Sequence, residues 1–299
     1  MFIIIFNGAL LRPAIPRLDS LNLKYIDDLS VLVALNLKTY LSQDSLERMK
    51  PLKHDERTAQ ILPIENNPLQ EQLNCLEKFT SEKLLKIKEK KTTIMKFNFS
   101  KIHDFPPEIH INGFNDDLKV INETKLLGII LTNDLRWSAN TEYTCTKAYK
   151  KMWILRRMKV LDVDPSIICD VYIKEIRSLL ELAVPAWHSG LTQKDSTDIE
   201  RVQKVALYII LSDCNTGHCE FTYQMALVVL ELEPLEVRRE RLCLSFAKKT
   251  LRSRHSDMFV ENGSQHNTRE RPEFFEPKAN TRRYYNSPLN YLTRLLNNC

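Results

Sequence analysis

Glycine is scarce in this chain, with six in 299 residues. A sandwich or barrel needs a tight turn about every 8–12 residues, many of them glycine-dependent. The shortage therefore excludes a many-turned all-β fold and favours helices. No hydrophobic run approaches the roughly 20 residues that a membrane span requires. The apolar opening, Met1 to Leu11 (MFIIIFNGALL), is too short and lacks the basic n-region of a signal peptide. It reads instead as the tail of a buried helix, and no membrane association is expected. Paired cysteines are missing as well. The seven present are odd in number, scattered, and never spaced C-x-x-C. Cys214, His218 and Cys219 sit close together but lack a fourth ligand, so no zinc site is read there. This cysteine usage fits a reducing compartment, nucleus or cytoplasm, and not secretion. A glycine-rich phosphate loop, H-E-x-x-H and G-x-S-x-G are all absent, which removes the enzyme classes built on them.

What is present is a core-forming composition, 43% hydrophobic and 27% charged, with a net charge of +5. The positive charge is unevenly placed. Tyr143 to Leu161 carries Lys147, Lys150, Lys151, Arg156, Arg157 and Lys159 and no acidic residue. With Ala148, Met152, Leu155 and Met158 at helical spacing as the apolar stripe, this segment predicts an amphipathic helix. Lys147, Lys150 and Lys151 share one face of it, with Tyr149 and Trp153 as an aromatic i, i+4 pair beside the stripe. The bland interpretation is a solvated lysine face; the functional one is a series of contacts to nucleic-acid phosphates.

Leu21, Leu23 and Tyr25 alternate before Asp27-Asp28, and Leu29, Val31 and Val33 alternate after it. That pattern predicts a β-hairpin with two carboxylates at its tip. The stretch from Asn36 to Pro68 reads as a connection, 69–90 as a helix, and Met95 to Phe99 as a strand. A second hairpin is expected around Asn112-Gly113, and 126–131 (LLGIIL) as one more apolar strand. Beyond Trp137 the period becomes helical, over 142–161, 165–182, 194–211, 223–232 and 235–254. Thr192 is a cap candidate, and Ile199, Val202, Ala206 and Ile209 form a stripe. Polar residues with Gly263, Pro272 and Pro277 make 256–278 read as loose. Three regions follow: a mixed one to residue 137, a helical one over 138–255, and a loose end over 256–299.

Adjacent aspartates at a turn are ordinary turn chemistry, or else hard oxygen ligands for Mg²⁺ beside a nucleotide. Tyr25-Ile26-Asp27-Asp28 resembles the Y-x-D-D box of reverse transcriptases, and other landmarks follow in that family's order. LLKIKEKKT (84–92) resembles its lysine-containing palm segment, with Lys91 in the K-T position. TKLLGIILTNDLRW (124–137) resembles its L-G primer-grip hairpin. PAWHSGL (185–191), IERVQKVAL (199–207), LEPLEVRRERL (232–242) and ANTRRYYNSPLNYLTRLLN (279–297) resemble the helical and terminal regions of the LINE-type, non-LTR retrotransposon group.

The resemblance implies an α+β fold: a partial polymerase palm, with a small antiparallel sheet plus a helix, then an all-helical thumb and C-terminal region. It implies an RNA-directed DNA polymerase, a nucleotidyltransferase working on an RNA template, a DNA primer and deoxynucleotides with Mg²⁺. In that frame Asp27 and Asp28 hold the metal, Tyr25 shapes the nucleotide site and Lys91 helps the leaving pyrophosphate. Leu127 and Gly128 seat the primer, while Lys147, Lys150, Lys151 and Arg157 track the backbone of the RNA–DNA hybrid. The family's first catalytic aspartate and its Q-G motif belong upstream of the Y-x-D-D box, yet only 24 residues precede Tyr25. Little or no polymerization is therefore expected from this sequence alone. The alternative is a non-catalytic nucleic-acid-binding protein derived from the same element. His188, without a recognisable nucleophile or acid, reads as packing, and the Arg238–Arg241 run as structural.

Overall fold

The computed structural model describes residues 2–7, 20–25, 28–35, 92–98, 118–212, 222–262 and 272–299, with isolated helical positions between 70 and 82. The fold is α+β, in two compact units. One comprises 1–124 with 133–135; the other comprises 125–132 with 136–299. The unit boundary thus sets the segment 125–132, and also the end of the chain from 256 onward, with the helical region.

The first unit is built on a five-stranded sheet with order β2-β3-β1-β4-β5. Its strands are β1 (Phe2–Asn7), β2 (Ser20–Tyr25), β3 (Asp28–Leu35), β4 (Thr93–Asn98) and β5 (Lys119–Ile121). Two expectations are corrected here. The opening segment is a central strand and not a helix tail: β1 pairs in parallel with both β3 and β4. Ile3, Ile4 and Ile5 are stiff at χ1 and suit a pleated surface. A short, continuously apolar run is what a central parallel strand looks like, and its periodicity alone does not separate it from a helix. The sheet is consequently mixed and mostly parallel, not antiparallel. Only β2 and β3 run antiparallel, with Tyr25 opposite Asp28 across the short Ile26-Asp27 connection. β4 carries the described part of this unit's core. Ile94, Met95 and Phe97 are all buried there, which breaks strict alternation because both faces of the strand are covered.

β6 (Glu123–Leu126), within which the second unit begins at Lys125, and β7 (Ile129–Thr132) form a hairpin, where residue patterning predicted a single strand. Its turn residues Leu127 and Gly128 both have positive φ, 48° and 92°, as a type I′ turn requires. Glycine accepts that geometry freely and leucine does not, so the apolar run concealed the turn. The helices are α1 (Ser138–Val160), α2 (Pro165–Val171, continued by a π-helical turn over Tyr172–Arg177 and by Ser178–Leu180) and the short α3 (Val184–Trp187). They are followed by α4 (Gln193–Ile210), α5 (Tyr223–Val229), α6 (Leu235–Leu251), α7 (Arg282–Tyr285) and α8 (Pro288–Asn297).

Local chemistry explains the helix starts. Asp164 accepts a hydrogen bond from the Ser166 amide at 2.8 Å, with Pro165 at the first helical position. Thr192 and Asp195 make a reciprocal capping box on α4. One core unites these elements. Ala148, Met152 and Leu155 of α1 meet Val202, Ala206 and Ile210 of α4, with Tyr172, Ile176, Val184, Leu235 and Ala247 around them. Residues 256–278 differ from the loose segment expected of them wherever they are described. Phe259 and Phe274 are buried against each other's rings, and Phe274 exchanges backbone hydrogen bonds with the Asn297 side chain of α8 at 2.8 and 3.0 Å.

Candidate nucleic-acid interface

Asp27 and Lys91 lie outside the described residues, as do Cys214, His218, Cys219 and the expected hairpin around Asn112-Gly113. For Tyr25 and Asp28 the backbone alone is described: they close the β2–β3 hairpin, which puts Asp28 at the first position of β3. Among the described residues no group of three His, Cys, Asp or Glu side chains could hold a metal ion. Nor is any helix among them long and apolar enough to cross a membrane.

The nucleic-acid-binding candidates, by contrast, are fully described. Helix α1 buries Ala148, Met152 and Leu155, which turns the opposite side outward. Lys147, Lys150 and Arg157 are exposed on it. At 100° per residue the three lysines spread over about a quarter-turn and do not share one row. Arg157 extends the outermost line begun by Lys150. Lys151 sits at the margin and is already committed, with its Nζ 2.6 Å from Glu175 Oε2 on the π-helical turn of α2. Both partners are substantially solvated, so this pair contributes little to stability. It nonetheless competes with any phosphate for Lys151. Sequence periodicity could not reveal that partner, which comes from another element.

The hairpin and α1 meet at Tyr143. Lys125 of β6 lies 5.1 Å from the Tyr143 ring centroid and Lys147 lies 5.3 Å from it. The Lys125 ammonium, by hydrogen bonding, is the main cause that lowers the Tyr143 pKa, with Lys147 adding to it. Lys125 thus places the Leu127-Gly128 turn on the same side of the unit as Lys147. Leu127 is exposed at the turn, and a Cβ on Gly128 would lie 3.0 Å from the Leu182 side chain. Lys125 and Tyr143 were not singled out from sequence; each needs the other element to acquire meaning. Lys159, counted among the basic residues, turns inward and donates to the Ile210 carbonyl at the end of α4, at 3.1 Å.

The remaining charged residues serve the interior. Arg238 forks onto Glu181 and also reaches Glu233, while Arg241 pairs with Glu233. The run is structural, as expected, but its partners lie on other elements and not along α6. Arg239 is fully buried and donates to Ser196 Oγ at 2.8 Å and to His188 Nδ1 at 3.3 Å. Burial, and then the Arg239 charge, pushes the His188 pKa down to about 4. His188 also packs edge-on to Tyr291. Behind it, Gln203 accepts from Tyr172 at 2.6 Å and donates to Tyr223 at 2.9 Å, and Tyr223 in turn donates to Glu200. Burial and the Glu200 hydrogen bond push the Tyr223 pKa upward. The network is not fully paired: Arg239 Nη1 and Glu200 Oε2 are buried without a hydrogen-bond partner among the described residues.

No protein-family model, curated protein or solved structure matches this chain.

Proposed function

We propose that this chain is a fragment of a LINE-type retrotransposon reverse transcriptase and that its helical unit holds an RNA–DNA hybrid by the phosphate backbone. The ordered motifs from Tyr25-Ile26-Asp27-Asp28 to the terminal signature support the ancestry. The observation that carries the binding role is the outward side of α1. There Lys147, Lys150 and Arg157 make no ion pair among the described residues, with Lys125 of the hairpin beside them and no acid between Tyr143 and Leu161. In this reading Asp27 and Asp28 would bind Mg²⁺, Tyr25 would border the nucleotide and Lys91 would face the pyrophosphate. The motifs present name two carboxylates for the metal site, so hybrid binding, and not nucleotide addition, is the activity proposed for the chain.

The test is equilibrium binding of the full chain to an RNA–DNA hybrid over a series of salt concentrations. Each neutralised duplex phosphate contributes about −0.9 to the log–log slope. Lys147→Gln with Lys150→Gln should flatten the slope by between one and about two units at unchanged helix content. Lys151→Gln should change it less, because Glu175 already holds that lysine. Conversely, Glu175→Gln should tighten binding. A slope indifferent to Lys147 and Lys150 would remove the binding role even if the ancestry stood.

A further inference from the structure

Where α1 meets α4 it carries a feature that the phosphate-tracking role does not use. α1 and α4 pack side by side in the same direction. Ser138 donates to Asp195 at 3.0 Å where both helices begin, and Lys159 reaches the Ile210 carbonyl where both end. The seam between them opens outward into a groove of about 400 Å³ whose lining includes Arg156, Val160, Val205, Tyr208 and Ile209. Its walls are almost entirely apolar. Tyr208 lines the groove and Tyr149 lies on α1 toward its start, both 38% exposed, while Trp153, one turn beyond Tyr149 on α1, is 63% exposed. Trp153 is the exposed tryptophan of the chain, since Trp137 and Trp187 are buried.

Cations accompany the aromatics. Lys204 lies 5.7 Å from the Tyr208 ring centroid, Arg201 acts electrostatically on Tyr149, and Arg156 lines the groove. Arg156, Arg201 and Lys204 form no ion pair among the described residues. The acidic groups on this side, Glu142 and Asp198, sit toward the start of the seam. Four residues along a helix advance about 6 Å, so Tyr149 and Trp153 are set one above the other at roughly the separation of successive unstacked nucleotides.

We infer that the α1–α4 seam is a binding strip for single-stranded nucleic acid, with unpaired bases stacking on Trp153, Tyr208 and Tyr149 and phosphates meeting Arg156, Arg201 and Lys204. The occupant follows from the pairing of features. Flat apolar rings alone would suit many partners, and cations alone would suit any polyanion. Exposed aromatics interleaved with unpaired cations match a ligand whose planar apolar groups alternate with negative charges. Every base has a π-face, so the strip reads no sequence. A duplex hides those faces and gains nothing from the aromatics. The proposal does not depend on the retrotransposon ancestry, because it is argued from the exposed rings and the cations beside them.

The experiment uses the full chain, with tryptophan emission as the signal and an oligoadenylate of about 12 nucleotides as the probe. Because Trp153 is the solvent-exposed indole, saturable quenching is expected to originate there and to vanish in Trp153→Phe, with binding itself retained when followed by anisotropy of a labelled probe. Trp153→Ala and Tyr208→Ala should each weaken binding about tenfold. Arg156→Gln with Lys204→Gln should flatten the salt slope by about 1.4, at about 0.7 per single-strand phosphate. All these side chains are at least partly exposed, and circular dichroism of each variant confirms that the fold is kept. The proposal is overturned if Trp153→Ala binds the probe as tightly as the parent chain. It is equally overturned if polyglutamate displaces the probe at equal charge concentration, which would mark the seam as a surface for acidic proteins.

Discussion

Single residues in the helical unit are held by contacts that elementary sterics and charge make testable. The Trp137 indole lies over Gly190 so closely that an added Cβ would sit 2.6 Å from Cδ1 and 2.7 Å from Nε1. Trp137 is itself buried and cannot swing aside. Gly190→Ala should therefore destabilise the chain by about 1–3 kcal/mol, the cost of overpacking, as measured by denaturant unfolding. An unchanged midpoint would mean that the ring and the loop after α3 move apart freely. His188 makes a pH prediction of definite sign. Its folded pKa is depressed to about 4 by burial and by Arg239, whose Nε donates to Nδ1. Protonation would remove that acceptor and set two cations together. The unfolded chain takes up the proton first as pH falls, so the stability contributed by neutral His188 is complete above about pH 6.5 and is lost as pH falls toward 4. Between about pH 7 and pH 5 the parent chain should lose about 1–2 kcal/mol more than His188→Gln does, after discounting for partial exposure. Equal losses in the two proteins would show that the histidine titrates freely when folded.

At the scale of elements, β1 is the most informative. Its register with Ser30–Leu35 on one side and Thr93–Asn98 on the other makes it the middle of the sheet. Both edges of β1 are engaged in the ladder, so Ile4→Pro, which removes a backbone donor in mid-strand, should cost about 1–3 kcal/mol and lower the melting temperature. An unchanged melting temperature would show that β1 is not held between β3 and β4. The β6–β7 hairpin shows where a pattern fails. Period-two counting runs straight through 126–131, whereas the positive φ values of Leu127 and Gly128 put a turn there. In α4 most of the sequence signal holds: Thr192 caps the helix and Ile199, Val202 and Ala206 point inward. Ile209 of the expected stripe is instead half-buried at the outer groove, and Ile210 takes the buried place.

On the scale of the whole molecule, the division into units makes its own prediction. The segment 125–132 belongs with the helices. Ile129 and Leu131 pack against the helical core, and the Ile130 amide donates to Asn140 Oδ1 at 3.0 Å at the start of α1. A polypeptide of residues 125–299 should thus melt at least about 5 °C above one of residues 136–299, since the shorter one exposes that core surface and leaves Asn140 unpartnered. Identical melting would place the boundary at Trp137, where the change of sequence character suggested it.

The sequence by itself determined the main helices of the second unit. The apolar stripe of α1, the cap at Thr192 and the change of period after Trp137 are all local, and an amphipathic helix with a cap specifies its own buried face. It also determined the β2–β3 hairpin, whose two alternating runs flank a polar turn. Tertiary structure alone decided the rest. Whether FIIIF becomes a helix or a strand depends on strands more than twenty residues away that supply its hydrogen bonds. Which lysines of α1 remain free depends on Glu175 and on the end of α4. That Arg156 and Val160 of α1 line one groove with Tyr208 of α4, and Lys204 beside its ring, depends on two helices running side by side. Helix faces follow from a period of 3.6 residues along one chain segment, whereas pairing and clustering follow from distances between segments, which no local pattern encodes.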